Sequence, residues 1–278
     1  MQLFLTYGPL CLAALLAGIV NSLAGGGTLL TFPALKSALG DFPGIGPVNA
    51  DAFANGTSTI ALGPASFSSA WAYRREIAKV RHWLALLIVP SLLGGGSGAW
   101  LAAEYPKQFK ELVPWLILLA AVLFTLQPMI TKRLAKADQP EDAHPSRLAQ
   151  IAVVFAQLLI GIYGGYFGAG IGILMLSTLG LMGLKNIHEM NALKTVLAGS
   201  INGVAIIIFL IKGLYEPKLA LAMMATSILG GYLGARYGRK LQQKYIRWFV
   251  IAVGFSLAAW YFYQQFFAPV GVPPSDGS

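Results

Sequence analysis

With 278 residues, 56% of them hydrophobic and 11% charged, and a mean hydropathy of +0.65, the chain carries too few charges for an ordinary soluble domain. Its net charge of +9 would suit a nucleic-acid partner, but the basic residues lie between apolar segments rather than on one face. Cytoplasmic-side anchoring of a polytopic membrane protein explains them better, and nucleic acid is excluded as a partner.

The opening MQLFLTYGPL has no positively charged stretch ahead of its apolar run, so the first hydrophobic segment is expected to belong to the mature protein. The lone Cys11 lies in that run; it leaves no intrachain disulfide and reads as a buried thiol. Residues 1–35 contain no charged side chain. A single helix of that length would run roughly 50 Å, against about 30 Å of hydrocarbon, so the segment must break and turn. Gly25-Gly26-Gly27 supplies the break, since each glycine costs a helix roughly 1 kcal/mol relative to Ala. This predicts one near-full-length helix and a short one ending near Lys36, with Pro33 distorting the short piece.

After a loop with Asp41, Pro43, Gly44, Gly46 and Pro47, residues 49–73 read as a helix too polar to face lipid, carrying Asp51, Asn55, Gly56, Thr57, Ser58 and Thr59. Arg74, Arg75, Lys79 and Arg81 read as a basic loop. Residues 82–103 and 112–131 are plain spans, with Trp83, Trp100, Tyr105 and Trp115 near their ends where interfacial aromatics sit. Residues 132–147, charged and containing Pro140 and Pro145, read as a cytoplasmic linker between a first membrane repeat (1–131) and a second (148–268). Residues 269–278 read as a disordered tail.

The second half echoes the first. Gly18 and Gly25 to Gly27 fall on Gly161 and Gly168 to Gly170, Asn49 matches Asn191, and Thr57-Ser58 stands opposite Gly199-Ser200. Gly94-Gly95-x-x-Gly98 matches Gly230-Gly231-x-x-Gly234; both read as close-packing surfaces without a ligand role. If every segment crossed once, Lys and Arg would divide almost evenly between the two sides. If each glycine break instead makes a hairpin returning to its own side, fourteen of the twenty fall inside and five outside (Lys36, Lys107, Lys110, Lys212 and Lys218), with Lys194 in the membrane. The expected fold is therefore an all-α membrane protein of two inverted repeats, about four helical segments each, with glycine-broken helices or hairpins and both termini outside.

Unwound backbone at membrane depth is tolerated only against protein or a water-filled cavity, so Gly25, Gly26, Gly27 and Thr28, with Gly168 and Gly170, are the first binding-site candidates. The polar faces that follow add Asn49, Asn55, Thr57, Ser58, Asn191, Thr195 and Ser200, which either line a cavity or make interhelical hydrogen bonds. Asp51 and Lys194 are ionisable groups within apolar segments and near-equivalent in the two repeats. Either they form an ion pair bracing the halves, or Lys194 attracts an anion while Asp51 tunes the site or takes part in ion coupling. Enzyme signatures are weak: His82, His144 and His188 are scattered, no metal or cofactor is expected, and Gly168-Ala-Gly-Ile-Gly172 lacks the strand context of a nucleotide loop.

The succession of an apolar run, Gly18-x-x-Asn21-Ser-x-Ala-Gly-Gly-Gly-Thr28-x-Leu30-x-x-Pro33-x-Leu35, a loop, and Asn49-Ala-x-x-Ala-x-x-Asn-Gly-Thr-Ser58, echoed after the linker, resembles the TauE/SafE sulfite exporter family over nearly the whole chain. The resemblance implies an inner-membrane, multi-pass permease for sulfite, a sulfonate, thiosulfate or another organic anion, often working as an exporter. Its partners would be the small anion and the lipid bilayer, with a coupling ion (H+ or Na+) and a homodimer as further options. An anion channel of the same fold and an intramembrane enzyme are the alternatives. The second break has Phe167 and Ala169 where the first has Ala24 and Gly26, so the two halves need not contribute equally.

Overall fold

The computed structural model describes residues 2–23, 25–40, 45–46, 49–136, 147–181, 184, 186–237 and 243–267, and these form eleven helices without a strand. In chain order they are α1 (Gln2–Leu23), α2 (Thr28–Leu39), α3 (Ala50–Ala72), α4 (Arg74–Lys79), α5 (Arg81–Glu104), α6 (Pro106–Lys136), α7 (Arg147–Tyr166), α8 (Ile171–Leu181), α9 (Ile187–Lys212), α10 (Pro217–Tyr237) and α11 (Gln243–Phe266). Six are long and apolar enough to cross a bilayer: α5, α6, α7, α9, α10 and α11. Their outer faces carry exposed Leu93, Trp115, Ile151, Leu221 and Phe249, which suits acyl chains rather than water. The polar helix α3 is as long, yet Asp51, Asn55, Thr57 and Ser58 on it are buried by its neighbours.

One expectation on the segments needs correction. The basic loop after residue 73 is itself a short helix, α4, and the helix that holds the span 112–131 continues through Lys136. Residues 137–146 and the tail 269–278 lie outside the described residues. The chain breaks at both glycine clusters as expected, and α2 runs three residues past Lys36 with Pro33 inside it.

The glycine stripes are packing surfaces. Gly94 and Gly98 on α5 meet Gly161, Ile162 and Tyr166 on α7, while Gly18 on α1 meets Ser227 and Gly231 on α10, and Gly234 meets Ile19 and Ser22. A β-carbon at Gly94 would sit 2.9 Å from the α-carbon of Gly161, so any side chain would force these helices apart. The residue order in these contacts makes α1 parallel to α10 and α5 parallel to α7. Helices α3 and α9 are antiparallel, because Gly56 meets Phe209 and Leu214, Gly63 meets Asn202 and Ile206, and Gly199 meets Ser66.

Ion pairs mark the two ends of the bundle. Lys212 and Glu104 lie 2.6 Å apart at one, and Lys79 and Glu189 4.0 Å apart at the other. These are called the Glu104 end and the Glu189 end.

Candidate functional site: where the two breaks meet

At the first break Gly25 adopts φ +74° and its N–H donates to the carbonyls of Val20 and Asn21, closing α1 as a left-handed glycine does. At the second, Gly168 and Gly170 both have φ +81°, Gly168 donates to the carbonyl of Tyr163, and the Tyr163 hydroxyl donates to the Ala169 carbonyl at 2.6 Å. Only glycine takes this backbone region without strain. The two breaks touch: a β-carbon on Gly25 would lie 2.7 Å from the α-carbon of Gly172.

The first break also reverses the chain. Lys36 pairs with Asp51 and Thr31 with Ser58 at 2.6 Å, so α2 runs antiparallel to α3. Helix α3 is parallel to α10, since Ser227 donates to the Ala61 carbonyl and Ser69 to that of Gly231. As α10 is parallel to α1, α2 runs back along α1, and Gly27 packs on the Ala17 carbonyl. Both breaks therefore lie inside the bundle against protein, where unwound backbone is tolerated.

Toward the Glu189 end, Asn21, Ser22, Gly25, Ser66, Ser69, Gly172, Lys194, Thr195 and Ala198 line a chamber of about 10 Å³. That is room for about one water molecule and no more. Lys194 is 1% exposed, and its Nζ donates to the carbonyls of Ser22 and Leu23, each at 3.3 Å. These are last-turn carbonyls of α1, unsatisfied within the helix and at the negative end of its dipole, so a cation is well placed there. Across the break, Asn55 Nδ2 donates to the carbonyl of Tyr166, the last residue of α7, at 3.0 Å. A polar group from α9 thus caps α1, and one from α3 caps α7.

Asp51 and Lys194 do not pair. The antiparallel crossing of α3 and α9 sets Lys194 beside Ser66 and Ser69, about 25 Å along α3 from Asp51. The partner of Asp51 is Lys36, whose Nζ lies 2.6 Å from Oδ1 and 4.3 Å from the centre of the Tyr261 ring. Asp51 is 0% exposed; its Oδ1 contact is an ion pair without hydrogen-bond alignment, and Oδ2 has no partner among the described residues. Lys36 opens onto a cleft of about 660 Å³ at the Glu104 end, which also has Lys107, Lys110, Glu111, Gln264 and Gln265 in its walls.

Of the residues singled out in the sequence, Gly25, Lys194 and Thr195 line the chamber and Asp51 backs the cleft. Gly26 packs on Phe124, and Gly170 faces Leu123 and Ala120, all on α6; the Oγ1 of Thr28 approaches Gly168. Thr57 Oγ1 accepts from the Glu216 N–H at 3.0 Å, Ser58 pairs with Thr31, Thr195 donates to the Asn191 carbonyl at 2.7 Å, and Ser200 donates to the Val196 carbonyl at 2.9 Å. Asn49 precedes α3 in an exposed position, and Asn191 keeps a buried Oδ1 without a partner among the described residues. Sequence reasoning missed Lys36, Lys107, Lys110 and Tyr261 as a group, having counted the three lysines only as outer charges. The available signal was Asp51 itself, a carboxylate in an apolar setting that needs a cation in reach.

Among the described residues, six helices long and apolar enough to cross a membrane, packed around two glycine-broken segments and two lysine-bearing spaces, define the class as a multi-pass membrane protein built like a transporter. The family model described as "Sulfite exporter TauE/SafE" matches residues 10–261, and the chain belongs to this family. A "Probable membrane transporter protein" of Haemophilus influenzae is 30% identical over 254 residues, covering 90% of this chain and 91% of that protein. The "Probable membrane transporter protein YfcA" of Escherichia coli K12 is 29% identical over 269 residues, covering 94% and 91%. No solved structure gives a significant match.

Proposed function

We propose that this protein moves a small sulfur-containing or organic anion, such as sulfite or a sulfonate, out across the inner cell membrane by alternating access between two inverted repeats. The observation that carries this reading is the inequality of the spaces on either side of the meeting breaks: a lysine-lined cleft of about 660 Å³ toward the Glu104 end and a chamber of about 10 Å³ toward the Glu189 end. A pathway open to one side and shut to the other is what alternating access requires of a single state. The inverted repeat is supported by pairing: α1 lies along α10 as α7 lies along α5, and the equivalent helices α3 and α9 cross antiparallel. It is supported too by charge, since Lys36, Lys107, Lys110 and Lys212 gather at the Glu104 end while Lys79 pairs with Glu189 at the other.

In this reading the anion passes from the region of Gly25, Thr28, Gly168, Lys194 and Thr195 to the cleft lysines when the hairpins shift, and leaves through the cleft. Counterflow tests it. Proteoliposomes loaded with unlabelled anion are expected to accumulate external 35S-labelled sulfite or methanesulfonate transiently above equilibrium. Flux that only ever runs down the gradient would indicate a channel instead.

A further inference from the structure

Resting on that reading, we propose that Lys36 exchanges Asp51 for the transported anion, and that Asp51 takes up a proton as it is released, so that one proton moves with each monoanion. The Lys36 ammonium joins the cleft to the buried carboxylate: its side chain is 26% exposed, while that of Asp51 is 0% exposed behind it. An anion in the cleft reaches Lys36 before it can reach Asp51. Because their contact is not aligned as a hydrogen bond, the ammonium is held by charge and by the Tyr261 ring face, both of which an incoming anion can share or replace.

Once Lys36 turns to the anion, Asp51 is a buried carboxylate without its cation, an arrangement that is strongly disfavoured. The surroundings offer it a proton site. Asn55, one turn further along the same face of α3, is 1% exposed; its amide is oriented by donation to the Tyr166 carbonyl, and its Oδ1 has no partner among the described residues. Asp51 Oδ2 and Asn55 Oδ1 are thus two buried acceptors short of a donor, and a proton on the Asp51 carboxyl supplies one. Two oxygens make a poor cage for a metal cation, which favours the proton over Na+.

Among the described residues, the other charged or titratable groups around Asp51 are Lys107, Lys110 and Glu111 on α6, Tyr261 on α11 and Glu216 before α10, with the Lys212–Glu104 pair at the same end; α1 carries no charge. The step balances. The Lys36–Asp51 contact breaks, a Lys36–anion contact forms, one proton from cleft water binds Asp51, and the loaded protein carries the same net charge as the empty one because the monoanion and the proton cancel.

The test uses the full chain in proteoliposomes with the membrane potential clamped by valinomycin and equal potassium, with 35S-methanesulfonate as probe and bisulfite as a second. A gradient of one pH unit, acid outside, is expected to hold methanesulfonate at about tenfold accumulation, since one coupled proton contributes a factor of ten per pH unit. Trapped pyranine should report acidification of the lumen as the anion enters. In Asp51→Asn the accumulation ratio should fall to about one and the pyranine signal should vanish. Counterflow in the wild type with an accumulation ratio of one would overturn the proton exchange alone. So would accumulation driven only by a Na+ gradient, or an Asp51→Asn variant that still accumulates tenfold. Absence of counterflow for both anions would overturn the transport reading with it.

Discussion

Lys36 and Lys194 are the same side chain in two settings. Lys36 faces a carboxylate and an aromatic ring at the edge of an open cleft, whereas Lys194 is sealed in against two backbone carbonyls beside a space for one water. The difference separates a charge that can change partners from one that holds a helix end. Backbone carbonyls at the end of α1 cannot move off without unwinding the helix, while the Lys36 ammonium can swing on its stem. A buried lysine in a membrane protein is therefore not by itself an anion site; what it is bonded to decides its role.

The largest effect that would sharpen this contrast is expected at Lys36. Replacing it with Met removes the only cation paired to buried Asp51 among the described residues and should destabilise the protein by about 3–5 kcal/mol. Lys36→Met combined with Asp51→Asn should recover most of that loss, measured as the unfolding midpoint in detergent. A double variant no more stable than Lys36→Met would break the pairing.

Next come the breaks, which hold the two lysines apart. Gly25→Leu puts a side chain on a left-handed backbone and against Gly172, at a combined cost of about 2–4 kcal/mol. Gly213→Leu shares the positive φ, +65°, but has no atom within 4 Å of its β-carbon, so it should cost only the backbone term of about 1–2 kcal/mol. Equal losses in the two variants would mean that the contact between the breaks contributes nothing.

A smaller loss than at Lys36 or Gly25 is expected at Lys194. Lys194→Met gives up two hydrogen bonds from a charged donor but keeps the apolar stem, for a loss of about 1.5–3 kcal/mol. Because Asp51 lies about 25 Å away along α3, Lys194→Met and Asp51→Asn should add to within about 0.5 kcal/mol. Marked rescue in that double variant would restore the Asp51–Lys194 pair that the helix crossing argues against.

Much of the helical framework is legible in the residues. An uncharged run too long for one span must break, and glycine is the residue least costly to break at, so the turns after Leu23 and Tyr166 could be placed without coordinates. The glycine stripes on α5 and α10 likewise declare close packing, because they offer backbone rather than side chain to a neighbour. The short helix α4 was not legible: its four basic residues in and beside a six-residue element carry no apolar stripe to mark it as helical.

The residues alone are enough to mark a membrane protein, the two glycine breaks and the family it resembles. Charge partners were decided only by the tertiary structure. Sequence equivalence put Asp51 and Lys194 at near-matching positions of two halves, but antiparallel crossing of α3 and α9 sends matching positions to opposite ends of the bundle. The antiparallel packing of α2 on α3 brings Lys36, fifteen positions away in sequence, onto Asp51 instead. An ion pair depends on distance in space, and in this fold that distance is set by the direction of the helices.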